Sequence, residues 1–285
     1  MNKTIQNLGH DLPAKFGRMK TRLVTRPMVP FYPGEPLEVM RPYSFDIGRD
    51  RRGQFFDLEL NPLRVRSLIA LDVRPKRRHL LLLLREHGEA NGRTARTDHR
   101  ILCGFDEREL FLAVLPADRR ISTVVQAMEA LKPNIVRNSQ RRHRVKTQDR
   151  NRRRNAGFVR QGEWFFVPDP TFHPNGRVCH RNEPLIRGAG KPHIAECLVR
   201  VGGRTAYAQR WGGRVITDAQ YRQLLRDNPR TKPGEWLVVT QEPVVHARGK
   251  VSHPDHRTVQ LVGWHRVEVN TEQNSGRGTN LVYVD

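Results

Sequence analysis

The sequence predicts an α+β fold, mainly antiparallel β with a few short helices and one basic helix or linker. Three observations carry that expectation. Apolar runs of strand length recur between clusters of turn-forming residues. Pro and Gly are frequent, 19 and 22 of 285 residues, which favours short elements joined by turns. Two helix starts are marked by capping-box patterns, Thr123 with Gln126 and Thr217 with Gln220.

Taken in order, residues 25–42 carry Pro27, Pro30, Pro33, Pro36 and Pro42 and read as an extended, loop-like lead-in. A short strand is expected over 54–60. Residues 67–73 and 79–85 are strand-like and are separated by Arg74-Pro75-Lys76-Arg77-Arg78, which can turn the chain. Residues 100–103 and 109–115 repeat the pattern, so two consecutive hairpins and an antiparallel sheet are expected. A helix follows over 124–131, ended or kinked by Pro133. Residues 134–156 are almost free of apolar side chains and read as a solvated helix or a disordered linker. The chain then divides into an N-terminal β-rich region (1–133), the basic helix or linker (134–157) and a C-terminal β-rich region (158–285). In the last, strands are expected over 158–167, 198–207, 235–239, 244–251, 258–262 and 265–270. One helix with Tyr221, Leu224 and Leu225 on a shared face interrupts them. The tail 273–279 reads as loose.

Charge is the most informative bulk property. Lys and Arg number 51 against 29 Asp and Glu, a net charge of +22 with neutral His. Self-repulsion at that charge opposes compaction unless a polyanion or counter-ions absorb it. Arginine dominates, and its planar fork matches phosphate oxygens two at a time. DNA or RNA is therefore the expected partner, bound with low sequence specificity, and a place in a protein complex is the other partner reading. The sharpest feature is the run Arg137, Arg141, Arg142, Arg144, Lys146, Arg150, Arg152, Arg153 and Arg154, with Asp149 its one acid. On a helix, part of this run would form a stripe able to track a phosphate backbone. A solvated segment without a partner is the alternative. No helix-turn-helix, zinc-finger or RNP1 signature accompanies it.

Three cysteines, Cys103, Cys179 and Cys197, are an odd and sparse set. That count argues against a disulfide framework and for a reducing, cytoplasmic setting. No stretch approaches the roughly 20 apolar residues that span a bilayer, so no membrane partner is expected.

Two groups of residues could carry chemistry. His253, Asp255 and His256 lie within four residues, with His265 shortly after. A turn at Pro254-Asp255 could aim both imidazoles at zinc or another divalent ion, Asp255 or His265 adding a ligand. Wet side chains on a surface turn are the alternative. Separately, Glu163, Glu183 and His193, with Lys191, could converge as an acid/base and phosphate-holding set. An edge carboxylate paired with Arg160 is the plain reading of Glu163. His173, Cys179, His180, His193 and Cys197 have a loosely zinc-like spacing but no C-x2-C knuckle. No Walker lysine, G-x-S-x-G elbow or dinucleotide-binding glycine pattern occurs, which argues against nucleotide-cofactor use. A metal-dependent hydrolase or nuclease built on the histidines is thus the alternative to nucleic-acid binding.

Three phrases, Leu102-Cys103-Gly104-Phe105-Asp106-Glu107-Arg108, Arg160-Gln161-Gly162-Glu163-Trp164-Phe165-Phe166 and Arg248-Gly249-Lys250-Val251-Ser252-His253-Pro254-Asp255-His256 with Trp264-His265-Arg266-Val267, resemble a group of uncharacterised bacterial proteins. The resemblance spans about residues 100–272. It implies a bacterial origin and brings no activity or cofactor with it.

Overall fold

A computed structural model describes residues 9–29, 40–90, 93–117, 120–187, 190–211, 214–272 and 282–284. The tail expected to be loose, 273–279, lies outside them. Strands dominate and pair mostly antiparallel, with short helices between, as an α+β fold requires. No helix among the described residues is long and apolar enough to cross a membrane.

The chain forms two compact units: residues 1–137 with 146–152 and 270–275, and residues 138–145 with 153–269 and 276–285. In the first unit, β1 (Leu23–Pro27) pairs parallel with β3 (Gly53–Leu60), which pairs antiparallel with β2 (Tyr43–Asp50). The proline-rich lead-in therefore contains a strand. Prolines tolerate such a position because an edge strand leaves one row of backbone donors unused.

A second sheet is the meander β4 (Val65–Arg74), β5 (His79–Ala90), β6 (Arg93–Asp106) and β7 (Glu109–Val114). This contains the two expected hairpins, with a third, between β5 and β6, longer than the sequence pattern suggested. Leu80, Leu82 and Leu84 of β5 pack with Phe56, Leu58 and Ile101 and with Phe16 of α1 (Leu12–Arg18). Leu81 points to the other face, against Val124 and Ala127 of α2 (Val124–Ala130). A strand covered on both sides explains why its apolar run is unbroken rather than alternating. Helix α2 starts at the Thr123–Gln126 capping box.

The second unit holds the seven-stranded sheet β11-β12-β16-β17-β10-β9-β8. Its strands are β8 (Arg154–Asn155), β9 (Phe158–Gln161), β10 (Trp164–Pro168), β11 (His180–Leu185), β12 (His193–Val201), β16 (Val244–Ser252) and β17 (Val259–Val269). The last is one continuous strand where two were expected. One face carries Val159, Trp164, Phe166, Ala195, Leu198, Val245, Ala247, Val251, Leu261 and Val267, the buried core. A smaller sheet orders β14 (Val215–Thr217), β13 (Arg204–Gln209), β15 (Trp236–Gln241) and β18 (Val282–Val284). Helix α4 (Asp218–Asp227), begun by the Thr217–Gln220 capping box, lays Tyr221 over Tyr207 at 3.8 Å between ring centroids.

The basic segment is folded over its whole length. Helix α3 (Asn134–Arg142) ends eight residues after it starts, so the arginine stripe does not continue to Arg152. A single turn of 3₁₀-helix (Thr147–Asp149) and β8 follow. The helix is anchored by buried Val136, Ser139 and Gln140, and the Ser139 hydroxyl donates to the Gly157 carbonyl at 2.8 Å.

Cys179 and Cys197 form a disulfide with Cα atoms 5.7 Å apart, which corrects the expectation that the cysteines stay unpaired. The reason is topological. Cys179 immediately precedes β11, whose partner strand β12 carries Cys197 opposite Arg181. The two sulfurs are thereby removed from any zinc set with His193. Cys103 is free and buried.

Candidate metal centre

Side chains alternate between the two faces of a strand, so every second residue continues the core face. Following that period past the apolar core leads to polar groups. Gln161 comes two residues after Val159, His193 two before Ala195, and His253 two after Val251. The β12–β16 register pairs Ala195 with Val251 and Ile194 with Ser252, so one further step sets His193 opposite His253. Their rings lie 4.1 Å apart between centroids and nearly parallel. His256, on the turn beyond His253, brings a third ring 4.7 Å from His253 and 5.5 Å from His193. One ring nitrogen from each of His193, His253 and His256 lies within 4.8 Å of the others. His193 is buried, and the other two are half-buried.

β9 and β12 are not neighbours in the sheet, yet Gln161 Oε1 accepts a 3.0 Å hydrogen bond from His193 Nδ1. The sheet therefore curls until these inner faces meet. The tight β9–β10 turn closes the contact. Gly162 adopts φ +57°, and a Cβ on it would lie 2.9 Å from His256 Nε2 and 3.1 Å from His193 Cε1. Both the left-handed backbone and the imidazoles against it require glycine here. The next residue, Glu163, places Oε2 3.6 Å from His193 Nε2. Burial pushes the Glu163 carboxyl up, while a charged His193, with Arg187 adding, draws it below the usual range.

His253 is held on both sides. Its Nδ1 accepts from the Asp255 backbone N–H at 3.1 Å, and Nε2 faces the Lys191 carbonyl at 3.3 Å. To bind an ion it must surrender one of these contacts, the longer being the weaker. Burial and the neighbouring His193 and His256 lower the pKa of His253, so it is neutral, the form that ligates metals. A zinc ion takes nitrogen at about 2.0–2.1 Å, which sets tetrahedral ligands roughly 3.4 Å apart, so the three rings would have to draw inward to hold one.

Two of the expected metal residues do not join the cluster. The Asp255 carboxylate is bound by Lys191 Nζ, with both oxygens at 2.9 Å, because the turn aims it outward while its backbone N–H faces His253. Lys191 is spent in the same pair. His265 lies opposite Ala247, six residues from His253 along β16, or about 20 Å at 3.3 Å per residue. Its Nδ1 donates to the Gly263 carbonyl. Of the acid/base candidates, Glu163 and His193 are brought together. Glu183 is not, because its carboxylate is bound by Arg200.

Sequence reasoning passed over Gln161, whose only signal is a polar residue at a core-face position before a turn glycine. It also missed buried His246, whose Nε2 lies 3.1 Å from Asp169 Oδ2 under the stacked ring of Phe172.

The basic run divides by environment. Arg137 bonds Asn134, Arg152 pairs with Asp149 at 2.9 Å, and Arg154 donates to the Gln260 carbonyl at 3.1 Å. Arg150 and Arg153 are half-buried, their carbonyls accepting from Lys132 Nζ and the Arg160 N–H. Arg141, Arg142, Arg144 and Lys146 are exposed, with no acidic partner among the described residues. No protein-family model, curated protein or solved structure matches this chain. Its own geometry must therefore carry the functional reading.

Proposed function

We propose that this protein is a metal-dependent hydrolase whose divalent ion, most simply zinc, is held by His193, His253 and His256. The observation that carries the reading is the convergence of three imidazoles, one from the start of strand β12 and two from the turn that follows β16. Three imidazole ligands would leave a coordination position open on a tetrahedral ion, as in catalytic rather than closed structural sites. Such an ion would supply Lewis acidity and could lower the pKa of a bound water to about 7. Glu163, beside His193 Nε2, would be the residue placed to take a proton from that water and pass it on to a leaving group.

The test is a titration of the purified protein with Co²⁺ and Zn²⁺, paired with hydrolysis of a small phosphodiester and a small carboxylic ester. One ion per chain is expected, with binding lost in His256→Ala. Glu163→Gln is expected to keep the ion and lose turnover by about 10²- to 10⁴-fold. A chain that takes up no ion, or a His256→Ala protein that binds as the native one does, rules the centre out.

A second reading rests on a different observation: four exposed cations, Arg141, Arg142, Arg144 and Lys146, fall within six residues of ordered chain. This supports contact with the phosphate backbone of DNA or RNA. Four neutralised phosphates on a duplex give a log–log salt slope of about −3.6, or roughly a 100-fold loss of affinity between 50 and 200 mM salt. Fluorescence anisotropy with mixed-sequence duplex DNA and single-stranded RNA measures it, and a flat salt response excludes backbone contact.

A further inference from the structure

We infer that Gln161 is a positioning residue that fixes the tautomer of His193 and so presents Nε2, unprotonated, to the metal. This rests on the metal reading above and adds a residue to it. The argument is a donor-and-acceptor count. Gln161 is buried, with 2% of its surface exposed. Its side-chain nitrogen donates to two backbone carbonyls, Val251 at 3.2 Å and Arg257 at 2.7 Å. A carbonyl only accepts, so both N–H groups of the amide are committed and its orientation is fixed. The amide oxygen is then the atom 3.0 Å from His193 Nδ1. That oxygen also only accepts, so Nδ1 must carry a hydrogen, and the neutral ring has its lone pair on Nε2. Nε2 is the nitrogen that faces Glu163.

Metal-bound imidazoles are commonly oriented in this way, by an acceptor on the nitrogen that does not bind. Here that acceptor has a second role. Val251 precedes His253 by two residues, and Arg257 follows His256 directly. The amide that orients one ligand therefore also ties down the two ends of the segment bearing the other two. A buried amide spending all three bonds on a ligand histidine and its flanking backbone is costly to leave unsatisfied.

Long-range ¹H–¹⁵N correlation spectra of ¹⁵N-histidine-labelled, metal-free protein read the tautomer directly, with His193 assigned by its loss in His193→Gln. The native protein is expected to show Nδ1 protonated and Nε2 bare at pH 7.5. Gln161→Met, close in size but with no acceptor, is expected to lose that preference and to bind Co²⁺ 10- to 100-fold more weakly. A native His193 protonated on Nε2 overturns the inference. So does a folded Gln161→Met protein with native tautomer and affinity. Should Gln161→Met not fold, the native spectrum alone still decides. Should the native chain show the Nδ1–H tautomer yet bind no Co²⁺, the hydrolase reading fails while the tautomer assignment stands.

Discussion

At the scale of single residues, the centre depends on a glycine as much as on its histidines. A methyl group at position 162 would meet two imidazoles below 3.2 Å, and the backbone there is left-handed. Gly162→Ala should therefore lower Co²⁺ affinity at least tenfold and destabilise the protein by about 1–3 kcal/mol. Gly176 provides the control. It has φ +78° but open space around a would-be Cβ, so Gly176→Ala should cost stability and leave Co²⁺ affinity unchanged. Thermal melts alongside metal titrations separate strain from obstruction. The site was half legible at this scale. His253 and His256 stood out by proximity, and Glu163 and His193 by chemistry, but nothing local in the sequence joins the two sets. In the sequence, Asp255 is the natural carboxylate ligand because it lies between two histidines. In the folded turn its side chain faces Lys191 instead.

At the scale of elements, the leucine run of β5 and the disulfide make opposite lessons. Leu82 is fully buried in the packing between β5, β3 and β6. Leu82→Ala should cost about 2–5 kcal/mol in denaturant unfolding, since the surrounding sheet can only partly close the cavity. That run was readable because both faces of β5 are covered and the sequence shows it as unbroken hydrophobicity. The Cys179–Cys197 bond was not readable, because a count of three says nothing about which strands are adjacent. Peptide mapping without reductant should recover the linked pair. With a separation of 18 residues, replacing both cysteines by alanine should lower stability by about 3 kcal/mol through the freed chain entropy.

For the whole molecule, charge and acid response are the measurable consequences. Burial is the main cause lowering the pKa of His246, offset in part by Asp169, and of His265, where Arg154 adds to it. The unfolded chain therefore binds protons at these histidines more readily than the folded one. Their full contribution to stability is present above the unfolded value near 6.5, and falls as pH drops below it towards the lowered folded values. Melting temperatures at pH 8.0, 6.5 and 5.0 should decline in that order. Part of the net charge of +22 is exposed at Arg141, Arg142 and Arg144. Replacing these three by Gln should weaken DNA or RNA binding and flatten the salt slope by about 3, while leaving Co²⁺ affinity intact. The two functional readings can thus fail independently.

By itself the sequence determined the α+β class, the hairpins around β5 and β7, both capping boxes and the positive charge. Each is a local property, written in residues a few positions apart. Tertiary structure alone decided that β1 joins a sheet, that Cys179 meets Cys197, and that Gln161, Glu163, His193, His253 and His256 share one place. The physical reason is that a curled sheet sets contacts by strand register and curvature. Those quantities join residues 32 and 90 positions apart, as at Gln161, and leave no short-range periodicity in the chain.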